Sequence, residues 1–138
     1  FYMKLVSSIY DLLSDNRYLL PLGIALLTLV MLLLTLLPSD FMGQNKIWSY
    51  DKLGHMAMFG SWCFVVGLYY QITYPTAKLW PIFASGVFFG LLIEVLQYLL
   101  PLRRHADPID FLFDVIGCLA AVWLLKKIQQ KFAPQPTS

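Results

Sequence analysis

Three short constellations bring acids, bases and cations together at helical spacing. Asp51, Lys52 and His55 form the first, Glu94 and Gln97 the second, and Asp110 and Asp114 the third, with Arg103, Arg104 and His105 shortly before it. Spacings of three and four place side chains on one face of a helix. These residue types suit phosphoryl or acyl transfer. Lys52 and Arg104 can hold a phosphate or carboxylate, arginine in a bidentate way. His55 can act as general base or nucleophile, oriented by Asp110. Glu94, once desolvated, can donate a proton. The expected catalytic set is therefore His55, Glu94 and Asp110. The expected substrate contacts are Asp51, Lys52, Gln97, Arg104 and Asp114. A divalent ion on His55, Glu94, Asp110 and Asp114 has the right donor atoms. No spacing of the H-E-x-x-H kind supports one, so neither metal nor cofactor is expected.

Each residue also has a plainer reading. Asp51 and Lys52 can simply start a helix at an interface, and His55 can be a hydrogen-bonded interior imidazole. Asp110 can cap a helix. Glu94 can pair with Arg104 to hold two helices together. Asp107 and His105 read as solvated loop residues.

The elements that position these groups follow from composition. The chain has 138 residues, 59% of them hydrophobic and only 13% charged, with a net charge of +2. Soluble domains average about 45–50% apolar and about 25% charged residues. An ordinary soluble globule and a disordered tail are both excluded. Nucleic-acid binding has no support either, since no basic block occurs outside the C-terminal region.

Four apolar runs stand out, at about 18–37, 53–72, 80–100 and 109–125. Each is long enough to cross or nearly cross a bilayer, and in lipid each must be a helix to satisfy its own backbone. The links between them are short, which predicts antiparallel neighbours. The fold class expected is an all-α integral membrane protein, with four transmembrane helices in a compact antiparallel bundle. Residues 1–17 read as a short interfacial segment, with Leu5, Ile9, Leu12 and Leu13 at helical spacing. Residues 18–125 form the membrane domain, and 126–138 a basic tail. Cys63 and Cys118 fall within spans and read as small packing residues.

Four spans put both termini on one side. That side carries six basic residues (Lys4, Arg17, Lys78, Lys126, Lys127 and Lys131) against four on the other (Lys46, Lys52, Arg103 and Arg104). The positive-inside rule places both termini in the cytoplasm. Lys52 and His55 then open the second span at its outer end, Glu94 and Gln97 close the third, and Asp110 and Asp114 open the fourth. At 1.5 Å per residue, His55 and Asp114 lie about 6 Å down and Glu94 about 10 Å down. Three helices thus deliver polar groups to one shallow layer, whichever way the protein faces. Ionisable groups at membrane depth are costly and mark functional sites. Gly86 and Gly90 share the Glu94 face and allow a close helix approach.

The ordered set Asp51-Lys52-x-x-His55, Glu94-x-x-Gln97, Pro101, Arg104, Asp110 and Gly117 resembles the VanZ-like membrane proteins over about Pro38 to Leu125. Asp114 departs from the resemblance, since asparagine is commoner there, and Arg103-Arg104 doubles a position that is often a single basic residue. The best-known member of that family gives low-level resistance to the glycopeptide teicoplanin. The resemblance implies a multi-pass protein of the bacterial cytoplasmic membrane. Its partner would be a membrane lipid or a lipid-linked, amphiphilic envelope molecule, and an oligomer is compatible with it. If it is an enzyme, the activity expected is that of a lipid-directed hydrolase or transferase. The alternatives are a non-catalytic binder of lipid or lipoglycopeptide, and a small ion- or proton-coupled transporter subunit.

Overall fold

Proline and helix-end residues divide the described residues into five helices. The computed structural model describes residues 2–16, 18–38, 51–101 and 107–132. Arg104, its neighbours Arg103 and His105, and the side chain of Asp51 lie outside the described residues. The helices are α1 (Tyr2–Asp15), α2 (Leu19–Leu36), α3 (Asp51–Thr73), α4 (Trp80–Leu99) and α5 (Pro108–Phe132). Pro21, Pro81 and Pro108 all fall in first turns, where a missing N–H costs nothing. Leu37 and Leu100 leave their helices in extended conformation, each followed by a proline that blocks continuation. The basic segment beyond Leu125 continues α5 rather than leaving it.

Among the described residues three helices are long and apolar enough to cross a membrane: α2, α4 and residues 108–131 of α5. The 23 residues of α3 reach about 34 Å, also a spanning length. Its Lys52, His55, Ser61 and Gln71 make it less apolar than the other three.

The most extensive packing joins α3 to α5. Its contacts advance together along both helices. Lys52 meets Asp110, His55 meets Asp114, Gly60 meets Gly117, and Gln71 reaches the carbonyl of Leu125. The two helices therefore run parallel, offset by close to one constant number of residues. Glycine makes this possible. A Cβ on Gly60 would sit 3.1 Å from the Gly117 carbonyl oxygen, and one on Gly117 would strike the Met56 carbonyl. The backbones touch with no side chain between them.

Contacts of α4 run the other way. Ile82 lies by Gly67, Gly86 by Cys63 and Cys118, and Gly90 by Asp114. So α4 returns between the ends of the parallel pair and packs on both. The core is Met31, Phe59, Cys63, Ile82, Ile93, Cys118 and Ala121. Cys63 and Cys118, expected as small packing residues, are both buried free thiols of this core, and they close over Gly86, where a Cβ would strike both sulfurs. α2 lies outermost. Its Leu19, Leu22, Leu26, Leu29 and Leu33 are exposed, as a lipid-facing stripe requires. Hydrogen bonds hold it: Trp62 Nε1 donates to Thr28 Oγ1 at 2.9 Å, and Gln97 Nε2 to the Thr35 carbonyl at 2.9 Å. At the opposite end, Gln129 donates to the Pro75 and Ala77 carbonyls, pinning the α3–α4 turn to α5.

The Gly117 contact can be tested. Gly117→Ala must separate α3 from α5 and should cost about 1–3 kcal/mol, as overpacking does. Gly54 has nothing within 4 Å of its would-be Cβ. Gly54→Ala should leave stability unchanged or raise it by up to about 1 kcal/mol, through helix propensity. Thermal unfolding of the two variants in detergent separates these outcomes.

Candidate functional site

The parallel offset of α3 and α5 fixes which acids meet which bases. Three residues separate Lys52 from His55 and four separate Asp110 from Asp114, so each base finds the acid at its own level. His55 Nδ1 lies 3.0 Å from Asp114 Oδ1, with both side chains almost wholly enclosed. Lys52 Nζ lies 3.2 Å from Asp110 Oδ1 and 3.2 Å from Asp107 Oδ2. The expectation that Asp110 orients His55 is therefore corrected. Asp110 holds Lys52, and Asp114, expected as a substrate contact, is the partner of the imidazole. The reason is register: one helical turn separates the two acids, and His55 lies one turn below Lys52.

Glu94 joins from α4. Its Oε2 accepts the backbone N–H of Asp107 at 3.0 Å. Donor atoms of His55, Glu94 and Asp114 all lie within 4.8 Å of one another. The three residues are 2%, 7% and 0% exposed. A ring-stacking contact with Phe59 supports the imidazole from below, with centroids 6.2 Å apart. Gly90 makes room beside it, since a Cβ there would come within 3.0 Å of Asp114 Oδ2. Glu94 Oε1 and Asp114 Oδ2 are buried without a hydrogen-bond partner among the described residues. Among the described residues the site thus gathers four carboxyls around one ammonium and one imidazole.

Asp107 was expected as a solvated loop residue, and it is instead the link between the two halves. Its backbone N–H goes to Glu94 and its Oδ2 to Lys52. Its Oδ1 accepts the Ile109 N–H at 2.8 Å. That last bond, with Pro108 at the first helical position, makes Asp107 the N-cap of α5. Asp110, expected as a possible cap, lies inside the first turn, where the helix dipole favours it. The Ile109 amide, and after it the Lys52 ammonium, holds the Asp107 carboxyl below the usual carboxylate range. The Asp107-Pro108 pair was a readable start signal for the helix; its reach to Glu94 was not readable.

Gln97 was expected as a substrate contact. The structure places its amide on the Thr35 carbonyl, one of the carbonyls left open where α2 ends. It ties α2 to α4 and donates to no member of the His55 cluster.

The chemistry open to this arrangement is acid–base work at a shielded position. With Asp114 ionised, Nδ1 of His55 carries the proton and donates it, which leaves Nε2 as the basic atom. The carboxylate also fixes the plane of the ring. Glu94 supplies a second carboxyl within reach.

The chain matches the family model described as VanZ/LLP1 over residues 23–129, most of its length, and it belongs to that family. Comparison with curated proteins and with solved structures gave no match.

The double role of Asp107 separates in two variants. Asp107→Ala removes cap and ion pair and should cost about 1 kcal/mol, a typical cap loss. Asp107→Ser keeps a capping oxygen and should retain most of that stability in thermal unfolding. The lowered pKa of Asp107 gives a pH dependence with a definite sign. The carboxylate's contribution is present above the ordinary aspartate range and is lost as pH falls through its depressed folded value. Protection of the Ile109 amide against hydrogen exchange should therefore persist to about pH 4, where an ordinary aspartate is half protonated, and fade below it.

Proposed function

We propose that this chain is a four-span protein of the bacterial cytoplasmic membrane that acts on an amphiphilic or lipid-linked envelope molecule at the His55–Asp114–Glu94 site. α3 is the fourth span in this reading. Its length supports that, and so does the direction of its polar groups. His55 and Gln71 are both buried toward α5 and Leu53 is exposed, as expected where lipid surrounds the bundle. Both termini face the cytoplasm by the basic-residue bias, which puts the site under the outer face.

The observation that carries the functional reading is the enclosed imidazole–carboxylate pair with a second carboxyl beside it. Leucine and glycine packing is enough to assemble membrane helices, so three buried ionisable groups are an expensive way to do only that. His55 acts as base, Asp114 orients it, and Glu94 handles the second proton. Lys52, held at the rim between Asp107 and Asp110, is half exposed and faces the level where a lipid head group sits. An acyl tail in the bilayer would bring such a head group to this depth. The reaction class is hydrolysis or group transfer on that head group. The link of this family to teicoplanin fits the same chemistry, because that glycopeptide carries an acyl tail.

The test uses the full chain in liposomes. Three probes are offered separately: a polyprenyl-diphosphate-linked glycan, phosphatidylglycerol and teicoplanin. Products are followed by mass spectrometry and retention by co-sedimentation. Turnover of one probe is expected, falling by about 10²–10⁴ in His55→Gln and Glu94→Gln, the range for acid–base groups. Gly54→Ala should leave it unchanged. Retention without turnover, insensitive to His55→Gln, would replace the enzyme reading with simple binding. Absence of both for all three probes would remove the amphiphile reading altogether.

A further inference from the structure

We infer that His55, Glu94 and Asp114 form a binding site for one divalent first-row transition ion, of the zinc or manganese class. The inference concerns the site of the proposed function, but it rests on the three side chains and not on any lipid substrate. With the ion bound, His55 serves as a ligand, and not as the base described above.

Three observations meet at this point. The first is the donor set. One imidazole nitrogen and two carboxylate oxygens, from three different helices, already lie within 4.8 Å of one another. Ligands at 2.0–2.2 Å from a tetrahedral ion sit about 3.5 Å apart, so closing inward by roughly an ångström completes the geometry. The second is the polar bookkeeping. Glu94 Oε1 and Asp114 Oδ2 are buried and accept no hydrogen bond from the described residues, although a buried carboxyl oxygen without a partner is costly. A cation between them removes that cost at both atoms. The third is charge. Among the described residues the site sets the carboxyls of Glu94, Asp107, Asp110 and Asp114 against the Lys52 ammonium, and Lys52 is already held by Asp107 and Asp110. Among the described residues Glu94 and Asp114 have no ammonium of their own.

The surroundings fit a first coordination shell. Glu94 is fixed by the Asp107 N–H, and His55 is backed by Phe59. Gly90 leaves the Asp114 carboxylate its place. Outer contacts of this kind orient metal ligands. The imidazole selects the class. Calcium and magnesium prefer all-oxygen shells and larger ligand counts, whereas one nitrogen with two carboxylates suits zinc, manganese or iron.

The experiment uses the untagged full chain in detergent, stripped with a chelator and then incubated with Zn²⁺, Mn²⁺ or Mg²⁺ alone. Bound metal is measured by mass spectrometry after gel filtration, with no lipid probe present. About one zinc or manganese ion per chain is expected, with a raised thermal midpoint and no retained magnesium. Glu94→Gln and Asp114→Asn should each weaken retention by at least about tenfold. Pulsed electron paramagnetic resonance of the Mn²⁺-loaded native chain should show coupling to one histidine nitrogen, which keeps the test valid where a variant fails to fold. A monodisperse native chain that retains neither zinc nor manganese overturns the inference, as does retained manganese without that nitrogen coupling. Metal retention without any lipid turnover would leave this site standing and remove the proposed reaction, and turnover by a chain that retains neither zinc nor manganese would do the reverse.

Discussion

Backbone contact between α3 and α5 at Gly60 and Gly117 is the constraint on which the rest of the molecule depends. Two helices touching without side chains between them cannot slide by half a turn, because the next residues in line, Met56 and Phe59 among them, carry bulk. The contact therefore sets a register, and the register sets the chemistry. It puts Lys52 level with Asp110 and His55 level with Asp114. A slip of one turn would bring His55 to Asp110, and would leave Asp114 enclosed without a base. In lipid there is little hydrophobic drive to bring helices together, so close packing of this kind must hold the pair.

Enclosing several carboxyls at one end of a bundle needs a reason beyond cohesion. Buried ion pairs contribute little net stability, and breaking one by removing a single partner is costly. The cohesive work here is visible elsewhere: the glycine contacts, the Trp62–Thr28 bond, the Gln71 and Gln97 amides on carbonyls, and the Gln129 clamp. The acid cluster is concentrated at one end, on α3, α4 and α5 with the residue that caps α5, and away from α2. Its division of labour is also clear. Asp107 and Asp110 neutralise Lys52 at the rim, while Glu94 and Asp114 surround His55 further in.

Much of this was legible in the amino-acid sequence. The helix limits follow from prolines and apolar runs, and the convergence of His55, Glu94 and the two aspartates on one level follows from counting residues per turn. The VanZ-like resemblance carried by those residues holds over residues 23–129. Pairing within the cluster was not legible. Choosing between Asp110 and Asp114 as the partner of His55 requires the relative height of two helices that a third separates in sequence, which no local spacing encodes. Gln97 looked equivalent to Glu94 because both lie on one helical face, but a shift of three residues turns it toward α2. Motifs for metal ligands look for spacing within one segment, so a triad drawn from α3, α4 and α5 is invisible to them. Cys63 and Cys118 met for the same reason, across a glycine whose role only the packing reveals.

Asp107 joins Glu94, Ile109 and Lys52 through three different atoms. A residue inserted immediately after it would turn the start of α5 by about 100° and break all three bonds at once, since each helical residue adds that rotation. Chain length at this junction is thereby fixed by geometry. Among relatives, insertions and deletions in the α4–α5 connection should fall on the Pro101 side of Asp107, and the tripeptide Asp107-Pro108-Ile109 should keep its distance from Asp110 and Asp114 unchanged.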